Sequence, residues 1–91
     1  MSLGLILTNI ATYTNEIDKQ LLIINAKQAE LGEFTDKDKE KTAQAKQARK
    51  ELSKAQMLYN MFKTFLDFWQ ESFKDFIQLL RKNQELSGAG R

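Results

Sequence analysis

The sequence predicts an all-α protein: an antiparallel helical hairpin of coiled-coil type with a long second helix, assembling into an oligomeric helical bundle. Three observations carry this. From Ala45 to Leu80 the apolar residues fall at alternating spacings of three and four without a miss: Ala45, Ala48, Leu52, Ala55, Tyr59, Phe62, Leu66, Trp69, Phe73, Phe76 and Leu80. Such a stripe stays on one side of a helix only if the helix supercoils against a partner. The chain contains no proline, and Asp36 to Glu85 contains no glycine, so nothing interrupts a long helix. With 91 residues, the chain is one small domain of a size at which a single core gives marginal stability without help from staples or other chains.

The first helix is expected over about residues 4–31. Ile10, Ile17, Ile24 and Leu31 recur at strict sevens, with Tyr13 and Leu21 between them. The apolar run Leu21 to Ile24 resembles a strand, but Glu16, Lys19, Gln20, Ala26, Lys27 and Gln28 around it all suit a helix. Gly32 then directly follows Leu31, where a helix C-cap favours a residue that enters the left-handed region cheaply. Thr35 or Asp36 offers an N-cap oxygen. The turn is therefore expected at 32–35 and the second helix at about 36–86, roughly 75 Å long at 1.5 Å per residue. Residues 87–91 read as a frayed tail.

The long helix has two chemically different halves. Up to Ala55 its stripe is alanine-rich, which lets two backbones approach closely. From Met57 to Leu80 it is aromatic and wider, with Leu58, Phe65 and Leu79 as a flanking row and Met61, Phe68 and Ile77 beyond it. A short turn at Gly32 sets Leu31 near Lys37, Ile17 near Glu51 and Leu52, and Ile6 near Phe62. Everything beyond about Phe65 is then left without an intramolecular partner. Burying one large apolar side chain contributes about 1.5–3 kcal/mol, so this leftover half is expected to bind another helix. The expected partner-binding residues are Phe62, Phe65, Leu66, Phe68, Trp69, Phe73, Phe76, Ile77 and Leu80. A break near residues 60–64 would instead fold the aromatic segment back into a monomeric three-helix bundle, but no glycine or proline marks one.

Composition narrows the chemistry. There is no cysteine and no histidine, which removes disulfides, thiolate metal sites and the commonest general base. Ser and Thr are scattered with nothing to activate them, and Tyr13 and Tyr59 fall on the stripes as core residues with a polar tip. No enzyme activity, cofactor or metal is expected. Asp67, Glu71 and Asp75 recur at fours, which reads as a solvated face, since bundle metal sites generally add histidine.

The net charge of +2 over 29% charged residues gives no footprint for nucleic acid. Only Lys46, Arg49, Lys50 and Lys54 form a weakly basic strip, after a run of alternating signs from Asp36 to Lys41. No apolar run approaches the roughly 18–20 residues of a membrane span, and Leu3 to Leu7 lacks the basic lead-in of a signal peptide. The aromatic helix could lie at a membrane surface, but Asp67, Glu71 and Asp75 occupy the face where such helices carry cations.

In outline the chain is similar to the small cysteine-free helical hairpins of bacterial secretion systems. One group comprises subunits and chaperones of type III secretion, the other the hairpins named for a Trp-x-Gly turn. The turn here reads Glu30, Leu31, Gly32, with glutamate in place of tryptophan, and it lacks the proline of needle subunits. The resemblance implies a structural or chaperone role and carries over no residue. The expected function is a protein-protein interaction module that self-associates as a homodimer or higher oligomer, or clasps another amphipathic helix. A peripheral membrane-binding helix protein and a monomeric three-helix adaptor are the alternatives. The compartment is left open between cytoplasm and export without a classical signal peptide.

Overall fold

Residues 2–34 and 42–89 are described by the computed structural model of the chain, with side chains to Glu85. They form two helices, α1 at Leu3–Gly32 and α2 at Ala43–Ala89, packed side by side in a rod 76 × 18 × 14 Å. The rod is as long as α2, for which 1.5 Å per residue gives about 70 Å.

Ser2 starts α1. Its backbone is extended, its Oγ accepts from the Leu5 N–H at 3.1 Å, and its carbonyl accepts from Ile6. Polar residues inside α1 are accommodated by bonding back one turn. Asn9 donates to the Leu5 carbonyl, Thr12 to Thr8 and Thr14 to Ile10, at 2.7–2.9 Å. The helix ends differently from the expectation. Gly32 is its last residue rather than a left-handed cap, and no glycine among the described residues has positive φ. Glu33 follows in right-handed helical geometry, and the end tightens through Glu33 N–H to the Glu30 carbonyl and Phe34 N–H to the Leu31 carbonyl.

The expected N-caps at Thr35 and Asp36, and the expected helix over 36–41, lie outside the described residues. The N-cap of α2 as described is Thr42, whose Oγ1 accepts from Ala45 N–H and whose carbonyl accepts from Lys46 N–H, both at 3.1 Å. From Ala43 the helix runs unbroken through residues 60–64, so the described residues form two helices and no three-helix bundle.

The two stripes meet as the spacing predicts. On α2, Ala45, Ala48 and Ala55 are buried, and Leu52, Tyr59, Phe62, Leu66, Trp69, Phe73 and Phe76 are half-buried. On α1, Ile6 and Ile24 are buried and Ile10, Tyr13, Ile17 and Leu31 half-buried. One α1 member is corrected. The buried residue a heptad after Tyr13 is Gln20, while Leu21 is exposed. Two helices can enclose a methyl group completely but can only cover one side of a large ring. That is why the alanine half has a closed core and the aromatic half an open one.

Register is the larger difference. Lys27 bridges to Glu51, Tyr13 packs at a tilt against Phe62 and Phe65, and Ile6 shares a groove with Ser72, Asp75, Phe76 and Leu79. Ile6 therefore lies about three helical turns further along α2 than the expected Phe62. α1 continues to Gly32, α2 as described opens at Ala43, and the first helix slides toward the end of the second.

Candidate interaction surface

This slide redistributes the residues expected to be left over. Phe62, Leu66, Trp69, Phe73 and Phe76 are half-buried on the seam, and α1 runs alongside them almost to its own first residue. The expectation that everything past Phe65 lacks an intramolecular neighbour is thereby corrected. Leu80 is 44% exposed, close to the end of α2 that lies beside the first turn of α1. Ile77 is half-buried and lines a shallow groove with Phe73, Lys74 and Arg81. Phe65 and Phe68 are exposed, Phe68 to 58%.

Exposed apolar side chains occur on both helices and at the end of α2, Leu22 at 71%, Met57 at 63% and Leu79 at 58% among them, and one set forms two adjacent rows along one side of the hairpin. Leu58 and Phe65 are seven apart, each one residue before a seam position, and Met61 and Phe68 form the adjacent row. Phe65 is held by Tyr13 at a ring separation of 5.4 Å, and Phe68 stands edge-on to Trp69 at 5.3 Å. Toward the turn the same side continues as a groove of about 410 Å³ lined by Gln20, Ile23, Lys27, Glu51, Lys54, Ala55 and Leu58. Of these, Leu58 and Met61 were legible only as members of flanking rows, and Ile23 only as part of an apolar cluster. Helical arithmetic places each row, but the register decides which α1 residue completes the face.

A charge pair lines the groove. The Lys27 ammonium lies within ion-pair distance of Glu51 on the other helix and 3.1 Å from Glu30 on its own. Hydrogen bonding to Glu51 first, and then to Glu30, holds it protonated above the ordinary lysine range. Glu51 is held below the ordinary carboxylate range by Lys27 and then by the Gln47 amide, which donates to it at 3.0 Å. Lys27 stands on the α1 stripe, so a polar seam residue is paired across the hairpin in one register.

Lys46, Arg49, Lys50 and Lys54 are all exposed on α2. Among the described residues no group of three or more carboxylates is arranged to hold a metal ion, and no helix is long and apolar enough to cross a membrane. Comparison of the chain with protein-family models, curated proteins and solved structures matches none of them.

Proposed function

We propose that the chain is a non-enzymatic protein-interaction module that associates through the apolar side of its hairpin, with a second copy or with another amphipathic helix. Surface area carries the reading. The chain exposes 6895 Å², whereas a compact folded chain of its mass exposes about 5,400 Å². The surplus of roughly 1,500 Å² is about twice what one partner contributes to a standard interface. Met61, Phe65 and Phe68 are 40%, 40% and 58% exposed, which makes a continuous apolar strip on one side of α2. The hairpin outline supports a structural or chaperone role of the kind found in bacterial secretion systems.

Light scattering across a dilution series, with and without Phe68→Asp, tests this. The parent chain is expected to associate or to take up an added amphipathic helix, and the variant to do neither while keeping its helical circular dichroism. A parent chain that stays monomeric and binds no helix refutes the reading.

A further inference from the structure

One row of α2 reads Lys54, Met61, Phe68, Asp75, each residue seven from the next and all four exposed. The order is cation, apolar, apolar, anion. Turned end for end, the row becomes its own complement, with Lys54 meeting Asp75 and Met61 meeting Phe68. Neither Lys54 nor Asp75 has an ion-pair partner among the described residues, although Lys27, Glu30 and Glu51 nearby are fully engaged. Resting on the interaction reading above, we propose that the occupant of this face is a second copy of the chain. The two α2 helices pack antiparallel about a two-fold axis that passes between Thr64 and Phe65.

Three observations meet at that axis. A two-fold interface places each residue pair twice, so two Lys54–Asp75 pairs frame two Met61–Phe68 contacts, and Phe65 of each copy lies beside its mate at the centre. The aromatic side chains, exposed within the hairpin, thus become the middle of the interface. The charges fall at its rim, where they select the antiparallel arrangement. A parallel pairing would set Lys54 on Lys54 and Asp75 on Asp75, and like charges in contact disfavour it.

The experiment uses the full chain in two arms. Lys54→Glu and Asp75→Lys are each expected to raise the dimer dissociation constant about tenfold, since each turns two attractive rim pairs into repulsive ones. The double variant is expected to return to within about threefold of the parent. Both positions are exposed and unpaired, so folding is unaffected, which circular dichroism checks. In the second arm, because the chain lacks cysteine, Ser53→Cys and Asn60→Cys accept single spin labels. At 1.5 Å per residue the antiparallel dimer separates the two Ser53 sites by about 35 Å along the axis and the two Asn60 sites by about 14 Å.

Charge-swap rescue with unequal label separations supports the proposal. Equal separations at both sites, or a dimer indifferent to both reversals, overturns it while leaving the interaction reading intact. A chain that is monomeric throughout overturns it too, and its capture of an added amphipathic helix then shows whether the broader reading survives.

Discussion

Replacing Ile6 with alanine tests the register on which the exposed face depends. Ile6 is 1% exposed, while its neighbours Leu5 and Leu7 are 49% and 47% exposed. Truncating a buried isoleucine costs about 2–5 kcal/mol. Here the lower end applies, about 2–3 kcal/mol, because the groove beside Ser72 and Phe76 is open and water can enter the space left. Leu7→Ala, at a half-exposed site, is expected to cost about 1 kcal/mol or less. With a urea dependence of about 1 kcal/mol/M for a chain of this size, Ile6→Ala lowers the midpoint by about 2–3 M. The assay is urea unfolding followed by far-ultraviolet circular dichroism at one fixed protein concentration, since association shifts apparent stability. A double-mutant cycle then reads the register directly. Ile6→Ala with Phe76→Ala is expected to show a coupling of at least about 0.5 kcal/mol, and Ile6→Ala with Phe62→Ala none. Coupling to Phe62 instead of Phe76, or equal costs at Ile6 and Leu7, would refute the register.

Thr42→Ala removes the oxygen that caps Ala45 and is expected to cost about 1 kcal/mol in the same unfolding assay, with Thr42→Ser restoring it. Ala48→Leu forces extra atoms into a site that is 2% exposed and is expected to cost about 1–3 kcal/mol. The same change at the exposed Ala43 costs little, and equal costs would mean that the alanine stripe does not face α1. Glu51 has its folded-state pKa depressed, so its contribution is complete above the ordinary value of 4.5 and is lost as pH falls through the lower folded value. Lys27 has its pKa raised, so its contribution is complete below 10.5 and is lost as pH rises through the higher folded value. Lys27→Met is therefore expected to flatten both limbs of the stability profile measured by urea midpoints, and unchanged limbs would show that the bridge is absent in solution.

The stripes were legible in the sequence because helical periodicity depends only on residue spacing. Ala45 to Phe76 lie on the seam as read, and so do Ile10, Ile17, Ile24 and Leu31. The turn was not legible, because a glycine after a leucine shows that the left-handed region is available and not that it is used. Gly32 stays helical, and α2 as described opens at Ala43 behind Thr42. Nor does periodicity fix register, since a seam that repeats every seven residues can slide by whole heptads and still match. What distinguishes one slide from another is unlike pairs: Lys27 with Glu51, and Tyr13 with Phe62 and Phe65. Polar seam residues are easily passed over when only apolar positions are counted, as Gln20 was in favour of Leu21.

Register also decides which substitutions speak to association and which to folding. With a short turn, Trp69, Phe73 and Phe76 would stand free of α1, and replacing any of them would test partner binding alone. In the observed register they line the same seam as Ile6, and their loss weakens the hairpin itself. Phe68 is different. It stands on the outer row at 58% exposure, and within the chain its ring meets Trp69 edge-on. Removing Phe68 takes little from the hairpin, while whatever covers it in an assembly also changes the surroundings of the indole beneath. Trp69 emission is therefore a reporter of the covered face. A blue shift on association that disappears in Phe68→Asp, with helicity unchanged, ties partner binding to this side of α2, whereas a shift that persists in the variant assigns it to another surface.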